Sequence, residues 1–371
     1  MRVAAIGDAH LGRSYLNVVT PEGVNQRERD FEVSFEAAVD LALAQSPGLI
    51  VWLGDVFDHP RPTYRSFRVA QRAMLRIREA GVRLAVISGN HDTPRLPGTG
   101  SPYSALADTF GELHFAHRLA YERFDLDGLV VHAVPQMMSV DATLAALEQA
   151  DRERSVDKAN LLLTHPRITQ VEPRYADINE IEVDANALRA DFVILGHYHV
   201  HTTVRAGVWY AGSTDTFTFA DDPDEPKGIA VLDTDSGAFH HVALEGQRPL
   251  VTVEPVEAIG LSPAEVQQLV VARAASAPAG SVVRLYLDGV DPEAYRLLDG
   301  DAVREAASHA LHLRIHPSFA SVAMPAELPE MDAMPARWDR YLEGQDLTGY
   351  DRDRIRALGH GYLSKAVETA P

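Results

Sequence analysis

Five short segments of the sequence carry acidic, amide and imidazole side chains of the kinds that bind divalent metal ions. Each segment directly follows an apolar, β-branched run that is typical of a buried strand. The segments are Asp8-Ala9-His10, Gly54-Asp55, Gly89-Asn90-His91-Asp92, Thr164-His165 and Gly196-His197-Tyr198-His199. Because open α/β folds gather their ligands at the carboxyl ends of strands, we expect these side chains to converge on one site.

The residue types indicate hydrolysis of a phosphate ester by two metal ions. Two divalent ions about 3.5 to 4 Å apart can clamp a phosphodiester and activate a water molecule between them. Such a pair needs a carboxylate that binds both ions, and Asp55 is the best candidate. Carboxylate and imidazole ligands suit manganese, iron or zinc, and the lack of cysteine argues against a purely structural zinc site.

We assign the candidate ligands to two ions that share Asp55. The first ion is assigned Asp8, His10, Asp55 and His199. The second ion is assigned Asp55, Asn90, His165 and His197. His91 is not needed as a ligand, and we expect it to protonate the leaving oxygen, with Asp92 orienting a neighbouring group.

Each segment taken alone has an ordinary structural explanation. An isolated Asp-x-His after a strand is usually a cap or a turn, and Gly-Asp and Gly-Asn are common turn dipeptides. Two histidines spaced two apart, such as His197 and His199, are more often surface residues than ligands. Five such segments in this order favour the metal site.

These segments, which span positions 8 to 199, resemble the calcineurin-like metallophosphoesterase superfamily. Within it the chain looks most like the SbcD family of DNA double-strand-break repair nucleases. The narrower similarity rests on residues 25–35, on Gly54-Asp-Val-Phe-Asp58 and on Gly212-Ser-Thr-Asp-Thr-Phe217, and covers about residues 1–245. One departure is that some members carry histidine three positions after the bridging aspartate, where this chain has Asp58 followed by His59.

The resemblance implies a DNA exonuclease and endonuclease that acts in double-strand-break repair and hairpin processing. It also implies two divalent ions, manganese being the expected metal, and an SbcC-like coiled-coil ATPase as partner. A homodimer is implied as well, with Phe67 and the helix near residues 103–110 at the contact. The alternatives are a phosphoesterase that acts on nucleotides, cyclic nucleotides or phosphoproteins, and a scaffold subunit of the ATPase complex.

The order of apolar patterns predicts an α/β fold with four parts. Residues 1–245 alternate strands and helices, which predicts a layered β-sandwich flanked by helices as the nuclease domain. Residues 246–316 show a β-α-β-α-β pattern, which predicts a small α/β domain. The resemblance implies that this domain caps the active site and selects DNA, and a structural addition is the alternative. Prolines mark residues 317–335 as a linker. Residues 336–371 predict a helical pair that binds a partner in a helix-in-groove manner or packs onto its own catalytic domain. The resemblance implies that this partner is the ATPase.

The charge composition limits which partners the protein is expected to bind. Of 371 residues, 34 are basic and 53 acidic, giving a net charge of −19, which disfavours nonspecific DNA binding. However, residues 61–95 contain eight arginines against Glu79 and Asp92, a local balance of +6. Arginines 65, 68, 72 and 76 of this segment share one helical face, which is either a DNA surface or a solvated helix face. The sequence has no Walker-type loop, signal-like start or membrane-length apolar run, so we expect a cytoplasmic protein without its own ATPase activity.

Overall fold

The computed structural model describes most of the chain as two compact units. The described residues are 1–172, 180–219, 221, 225–320, 333–343, 345, 347 and 351–368. The first unit comprises residues 1–254, 268–286 and 299–316; the second comprises 255–267, 287–298 and the described part of 317–371. These units do not follow the boundaries that we drew from sequence, and those boundaries stay a prediction.

The elements are numbered in chain order. The strands are β1 (Arg2–Ile6), β2 (Leu49–Leu53), β3 (Arg83–Ile87), β4 (His114–Ala116), β5 (Glu122–Leu126), β6 (Leu129–Val134), β7 (Ala159–Thr164), β8 (Arg167–Ile168), β9 (Glu182–Val183), β10 (Phe192–Leu195), β11 (Thr202–Arg205), β12 (Val208–Tyr210), β13 (Gly228–Asp233), β14 (Phe239–Ala243), β15 (Leu250–Thr252), β16 (Val256–Glu257), β17 (Val282–Val290) and β18 (His312–Phe319). The α-helices are α1 (Gln26–Ala44), α2 (Tyr64–Glu79), α3 (Pro102–Thr109), α4 (Val140–Arg152), α5 (Pro263–Ala275), α6 (Pro292–Arg296), α7 (Gly300–Ala306), α8 (Ala333–Glu343) and α9 (Arg352–Glu368).

Two six-stranded sheets form the body of the first unit. One has the order β14-β13-β1-β2-β3-β4 and the other β11-β12-β10-β7-β6-β5. In the first sheet β1 to β4 run parallel, with Val3 opposite Leu49 and Leu49 opposite Arg83. In the second, β6, β7, β10 and β12 run parallel, with Leu195 opposite Thr164. The carboxyl ends of the strands that precede the five segments therefore lie along one edge of each sheet.

Apolar side chains fill three layers around these sheets. The inner faces of the two sheets pack against each other through residues such as Val51, Ile87 and Leu163. The outer face of the first sheet packs against α1, α2 and α3, and that of the second packs against α4. This arrangement confirms the predicted α/β sandwich flanked by helices.

The arginine face of α2 lies against acidic side chains of α1. Three of its four arginines pair with a carboxylate there: Arg65 with Glu32, Arg72 with Glu36, and Arg76 with Asp40. The opposite, apolar face of α2 contributes Ala70, Met74 and Ile77 to the core, as its helical spacing predicts. Most of the charge that suggested a DNA surface is thus neutralised within the first unit.

The C-terminal part of the chain contains shorter elements. Within the first unit, β15 pairs in parallel with residues 282–284 of β17, and within the second, β16 pairs in parallel with residues 287–288. A capping box begins α5, because the backbone N–H of Ser262 donates to the side chain of Glu265 at 2.8 Å and the backbone N–H of Glu265 donates to the side chain of Ser262. The predicted linker lies mostly outside the described residues.

In the second unit, α8 and α9 pack against each other. The indole N–H of Trp338 donates to the main-chain oxygen of Arg356 at 3.3 Å, and Leu342 is buried. Apolar side chains stay exposed all the same, with Tyr341 58 %, Leu358 56 % and Tyr362 72 % exposed. No helix in the described ranges has the length and apolar character needed to cross a bilayer.

Candidate metal centre

The loops that leave the strand ends have an unusual backbone conformation. Asp8, His10, Asp55 and His197 adopt positive φ angles of 43°, 45°, 49° and 88°. Such conformations cost about 1–3 kcal/mol each and are typical of functional sites. These bends leave the side chains of Asp8, His10 and Asp55 buried.

Two glycines allow the loops after β2 and β3 to touch. A Cβ atom at Gly89 would lie 2.2 Å from Oδ1 of Asp55, and one at Gly54 would lie 2.6 Å from Nδ1 of His165. Neither distance is possible for a real side chain. The Gly-Asp and Gly-Asn pairs are therefore more than turn dipeptides, because the glycines make room for the candidate ligands.

Asp8, His10 and His199, three of the residues assigned to the first ion, lie together. One potential ligand atom of each falls within 4.8 Å of the others. Nδ1 of His10 lies 2.9 Å from Oδ1 of Asp58, and this contact turns Nε2 into the site. Nε2 of His10 is buried and has no hydrogen-bond partner among the described residues, as expected of an atom that binds a metal ion.

The residues assigned to the second ion also converge. His165 donates a hydrogen bond from Nδ1 to the main-chain oxygen of Leu53 at 2.6 Å, which leaves Nε2 to face the site. The side-chain oxygen of Asn90 lies 3.1 Å from Nε2 of His165 and 3.1 Å from Nδ1 of His197. This carboxamide oxygen and the two imidazoles form a donor set that fits a divalent cation.

Asp55 lies between the two groups. Its Oδ2 atom is 3.6 Å from Nε2 of His10 and 3.3 Å from Nε2 of His165, while Oδ1 accepts the backbone N–H of His91 at 2.8 Å. Burial alone raises the pKa of Asp55, but His165, His10 and His91 together hold it below its usual value. The position and ionisation of this carboxylate suit a ligand shared by two ions.

The pKa of the Asp8 carboxyl group is shifted in the opposite direction to that of Asp55. Burial raises its pKa to about 7, while His165 opposes this shift and Asp55 adds to it. Both of its oxygens accept the backbone N–H of His197, at 2.9 and 3.1 Å. A divalent cation would favour the ionised form of this carboxyl group.

His91 lies at the mouth of the site and its side chain is 38 % exposed. Its Nδ1 atom lies 3.1 Å from the main-chain oxygen of Asp58, and its ring centroid is 4.6 Å from that of His10. Ligand atoms of His91, His10 and Asp55 also fall within 4.8 Å of one another. His91 therefore lies close enough to His10 and Asp55 to bind a metal ion with them or to exchange a proton with a group held beside them.

Asp92 is buried behind the candidate ligands. It accepts the backbone N–H groups of Gly89 at 2.7 Å and Val56 at 2.9 Å, and also the hydroxyl of Tyr103. Burial, reinforced by the charge of Asp55, raises its pKa to about 7. Asp92 thus joins the loop after β2 to the loop after β3.

Comparison with known proteins agrees with this geometry. The sequence model of a family described as calcineurin-like phosphoesterase matches residues 1–201. The chain belongs to this family. Divalent-metal chemistry is therefore the expected use of the Asp and His cluster of this phosphoesterase.

Curated relatives of this phosphoesterase carry the name DNA double-strand break repair protein Mre11. The protein from Thermoplasma acidophilum is 26% identical over 262 residues, which cover 67% of this chain and 66% of that protein. The protein from Saccharolobus solfataricus is 27% identical, over 54% of this chain and 49% of that protein. The protein from Methanococcus maripaludis is 24% identical, over 61% and 60%. The chain spans about half to two thirds of the length of these relatives.

Several residues of the phosphoesterase site were missed by sequence reasoning. Glu180 places Oε1 3.3 Å from Nε2 of His197, and no local pattern marks it. Asp58 was noted only as a departure from the family pattern, yet it orients His10. Phe217 ends a segment quoted for the resemblance, and its ring packs on both His10 and His199. The order of motifs predicts which residues converge but not which side chains hold them in place.

Proposed function

We propose that this phosphoesterase is a two-metal-dependent DNA nuclease that acts in double-strand-break repair and hairpin processing. The observation that carries the proposal is the position of Asp55, whose Oδ2 atom lies within 3.6 Å of histidines from both candidate ion groups. The name shared by the curated relatives supports DNA as the substrate.

Each group of the site has a defined part in this proposal. When bound, two divalent ions, manganese in our proposal, supply positive charge at the scissile phosphate and an activated water. Asp8, His10 and His199 would hold one ion, Asn90, His165 and His197 would hold the other, and Asp55 would contribute to both sites. His91, the exposed histidine at the mouth, donates a proton to the leaving oxygen.

An open cavity of about 490 Å³ adjoins His91. Among the described residues, five arginines of the basic segment 61–95 pair with carboxylates: Arg65 with Glu32, Arg72 with Glu36, Arg76 with Asp40, Arg78 with Glu112, and Arg83 with Asp127. Of the remaining three, Arg61 and Arg95 line this cavity and have no carboxylate within 4.0 Å in the described ranges. Their charge is available to the phosphates of a DNA strand that reaches His91.

The proposed partners rest on separate features. We assign residues 336–371 to an SbcC-like ATPase, because α8 and α9 leave Tyr341, Leu358 and Tyr362 exposed. We assign residues 246–316 to DNA selection. For a homodimer, Phe67 is a candidate contact because it is only partly buried and stacks on Phe57 with ring centroids 6.3 Å apart.

The test is cleavage of defined DNA by the purified, metal-stripped chain after addition of manganese. Linear duplex and hairpin DNA are compared with a nitrophenyl phosphodiester, a nucleotide monophosphate and a phosphopeptide. We expect cleavage of DNA that is lost in Asp55→Asn and suppressed by rising salt. Cleavage of the small substrates or the phosphopeptide but not DNA would favour a different phosphoesterase. Binding of two ions without hydrolysis of any substrate would favour the scaffold alternative.

A further inference from the structure

The side chain of Phe217 lies between two histidines of the candidate metal centre. Its ring centroid is 3.9 Å from that of His199 and 4.5 Å from that of His10, whose rings are 5.2 Å from each other. Phe217 is only 4% exposed. No candidate ligand of the second ion has a ring contact with Phe217 among the described residues.

A second set of contacts links the backbone of Phe217 to that of His199. Asp221 accepts the backbone N–H of Phe217 at 2.6 Å, and its carboxylate lies 3.8 Å from the ammonium group of Lys227. Lys227 in turn donates to the main-chain oxygen of His199 at 2.8 Å. Both Asp221 and Lys227 are about 5% exposed. Phe217 is therefore connected to His199 in two ways, directly by ring packing and indirectly through Asp221 and Lys227.

The chain segment that carries Phe217 is also held in place by contacts that do not involve the histidines. Asp215 pairs with the guanidinium group of Arg27 at 3.1 Å, and both side chains are fully buried. Arg27 also donates to the main-chain oxygen of Thr216 at 2.9 Å. The backbone immediately before Phe217 is thus fixed by a buried ion pair, so the ring has little freedom to move away from the histidines.

We infer that Phe217 is a positioning residue that sets the affinity of the first ion by fixing the rings of His10 and His199. The inference rests on the assignment of these two histidines to one ion in the proposed function. The terminal torsion of histidine has a broad energy profile, so neighbouring groups must define the ring orientation. Asp58 does this for His10 through a hydrogen bond, and Phe217 restricts both rings by packing.

The test measures manganese binding rather than cleavage. The metal-stripped full chain is titrated with manganese by calorimetry, and electron paramagnetic resonance separates single ions from coupled pairs. His199→Ala identifies the binding step of the first ion. We expect Phe217→Leu to weaken that step by about 10- to 100-fold and to leave the other ion within about twofold of wild type.

The matched control is Phe35→Leu. Phe35 is fully buried and packs on Trp52 with ring centroids 5.2 Å apart, and it has no ring contact with Phe217 or either histidine among the described residues. We expect it to lower stability while both ions bind as in wild type. Asp221→Asn provides a second variant if Phe217→Leu does not fold, and it should weaken the same ion less strongly.

Three outcomes would overturn the inference. The first is unchanged binding of both ions in Phe217→Leu and Asp221→Asn. The second is equal weakening of both ions, and the third is the same weakening in Phe35→Leu. Failure of the wild-type chain to bind two ions would instead remove the proposed metal centre itself, so the two failures are distinguishable.

Discussion

Nδ1 of His10 lies 2.9 Å from a carboxylate oxygen of Asp58, so Asp58 fixes the orientation of a candidate metal ligand. Asp58 also accepts a hydrogen bond from Arg13 at 3.2 Å. It occupies the position, three residues after Asp55, where some members of the resembling family carry histidine. In this chain the side chain at this position orients His10 and also lines the open cavity beside His91.

Replacing Asp58 is expected to weaken one ion selectively. Asp58→Ala should reduce affinity for the first ion by about 10- to 100-fold, because His10 loses the group that orients it. Asp58→Asn should have a smaller effect, since its amide oxygen still accepts a hydrogen bond from Nδ1. Manganese titration measures the affinity of both variants, and Asp127→Ala, which removes a carboxylate that is 97% exposed, is the control. Equal affinities in Asp58→Ala and wild type would contradict the role.

Asp55→Asn is expected to weaken both ions and abolish cleavage, because Asp55 is the only proposed shared ligand. The fold should be retained, as judged by circular dichroism, since the amide has nearly the same size as the carboxylate. Metal content measured by mass spectrometry is the deciding observation. Near-normal occupancy by two ions would remove the bridging assignment.

Replacing His91 is expected to lower the rate of DNA cleavage and to leave metal binding unchanged. His91→Ala and His91→Asn should each lose about 10² to 10⁴ in cleavage rate if the imidazole transfers a proton. Both ions should remain bound. Full activity would return His91 to a structural role. Loss of one ion would make it a ligand, which its proximity to His10 and Asp55 allows.

Deleting residues 330–371 should separate cleavage from partner binding. Every candidate ligand precedes residue 200, so manganese-dependent cleavage of short DNA should persist. The deletion should abolish association with the SbcC-like ATPase. The double variant Leu358→Glu with Tyr362→Glu should also abolish it, because it places charges on an exposed apolar face. Val156→Glu is the matched control, because Val156 is 96% exposed in the first unit.

Co-purification followed by size exclusion measures this association. Unchanged co-elution of the truncated chain with the ATPase would mean that α8 and α9 are not the docking element. The catalytic domain would then have to provide it. Loss of co-elution with Val156→Glu as well would show that the charge change acts nonspecifically.

The elements that position the site could be predicted from sequence because each strand is a short, continuous apolar run. The apolar run that precedes Asp8 is observed as the strand Arg2–Ile6, and the run that precedes Asp55 as the strand Leu49–Leu53. The strand His114–Ala116 was missed because it has only three residues.

The supporting groups of the site were much harder to predict than the candidate ligands. The ligands follow strands, and parallel strands bring their carboxyl ends together, so convergence follows from topology. Phe217 and Glu180 come from loops, where nothing in the local pattern defines the direction of a side chain. The ion pairs between α1 and α2 depend on how two helices face each other. The sequence therefore predicts that the arginines share one face of a helix. It does not predict that this face lies against Glu32 and Glu36.

The left-handed backbone at Asp8, His10, Asp55 and His197 has an evolutionary consequence. Asparagine and glycine tolerate this conformation, whereas most other residues resist it. In a descendant of this chain that served only as a scaffold, losing the positive φ angles at these four positions would increase stability. Selection for cleavage would no longer oppose that change. Decay of a redundant copy should therefore begin at the backbone of the metal loops, before the sheets or the outer helices change.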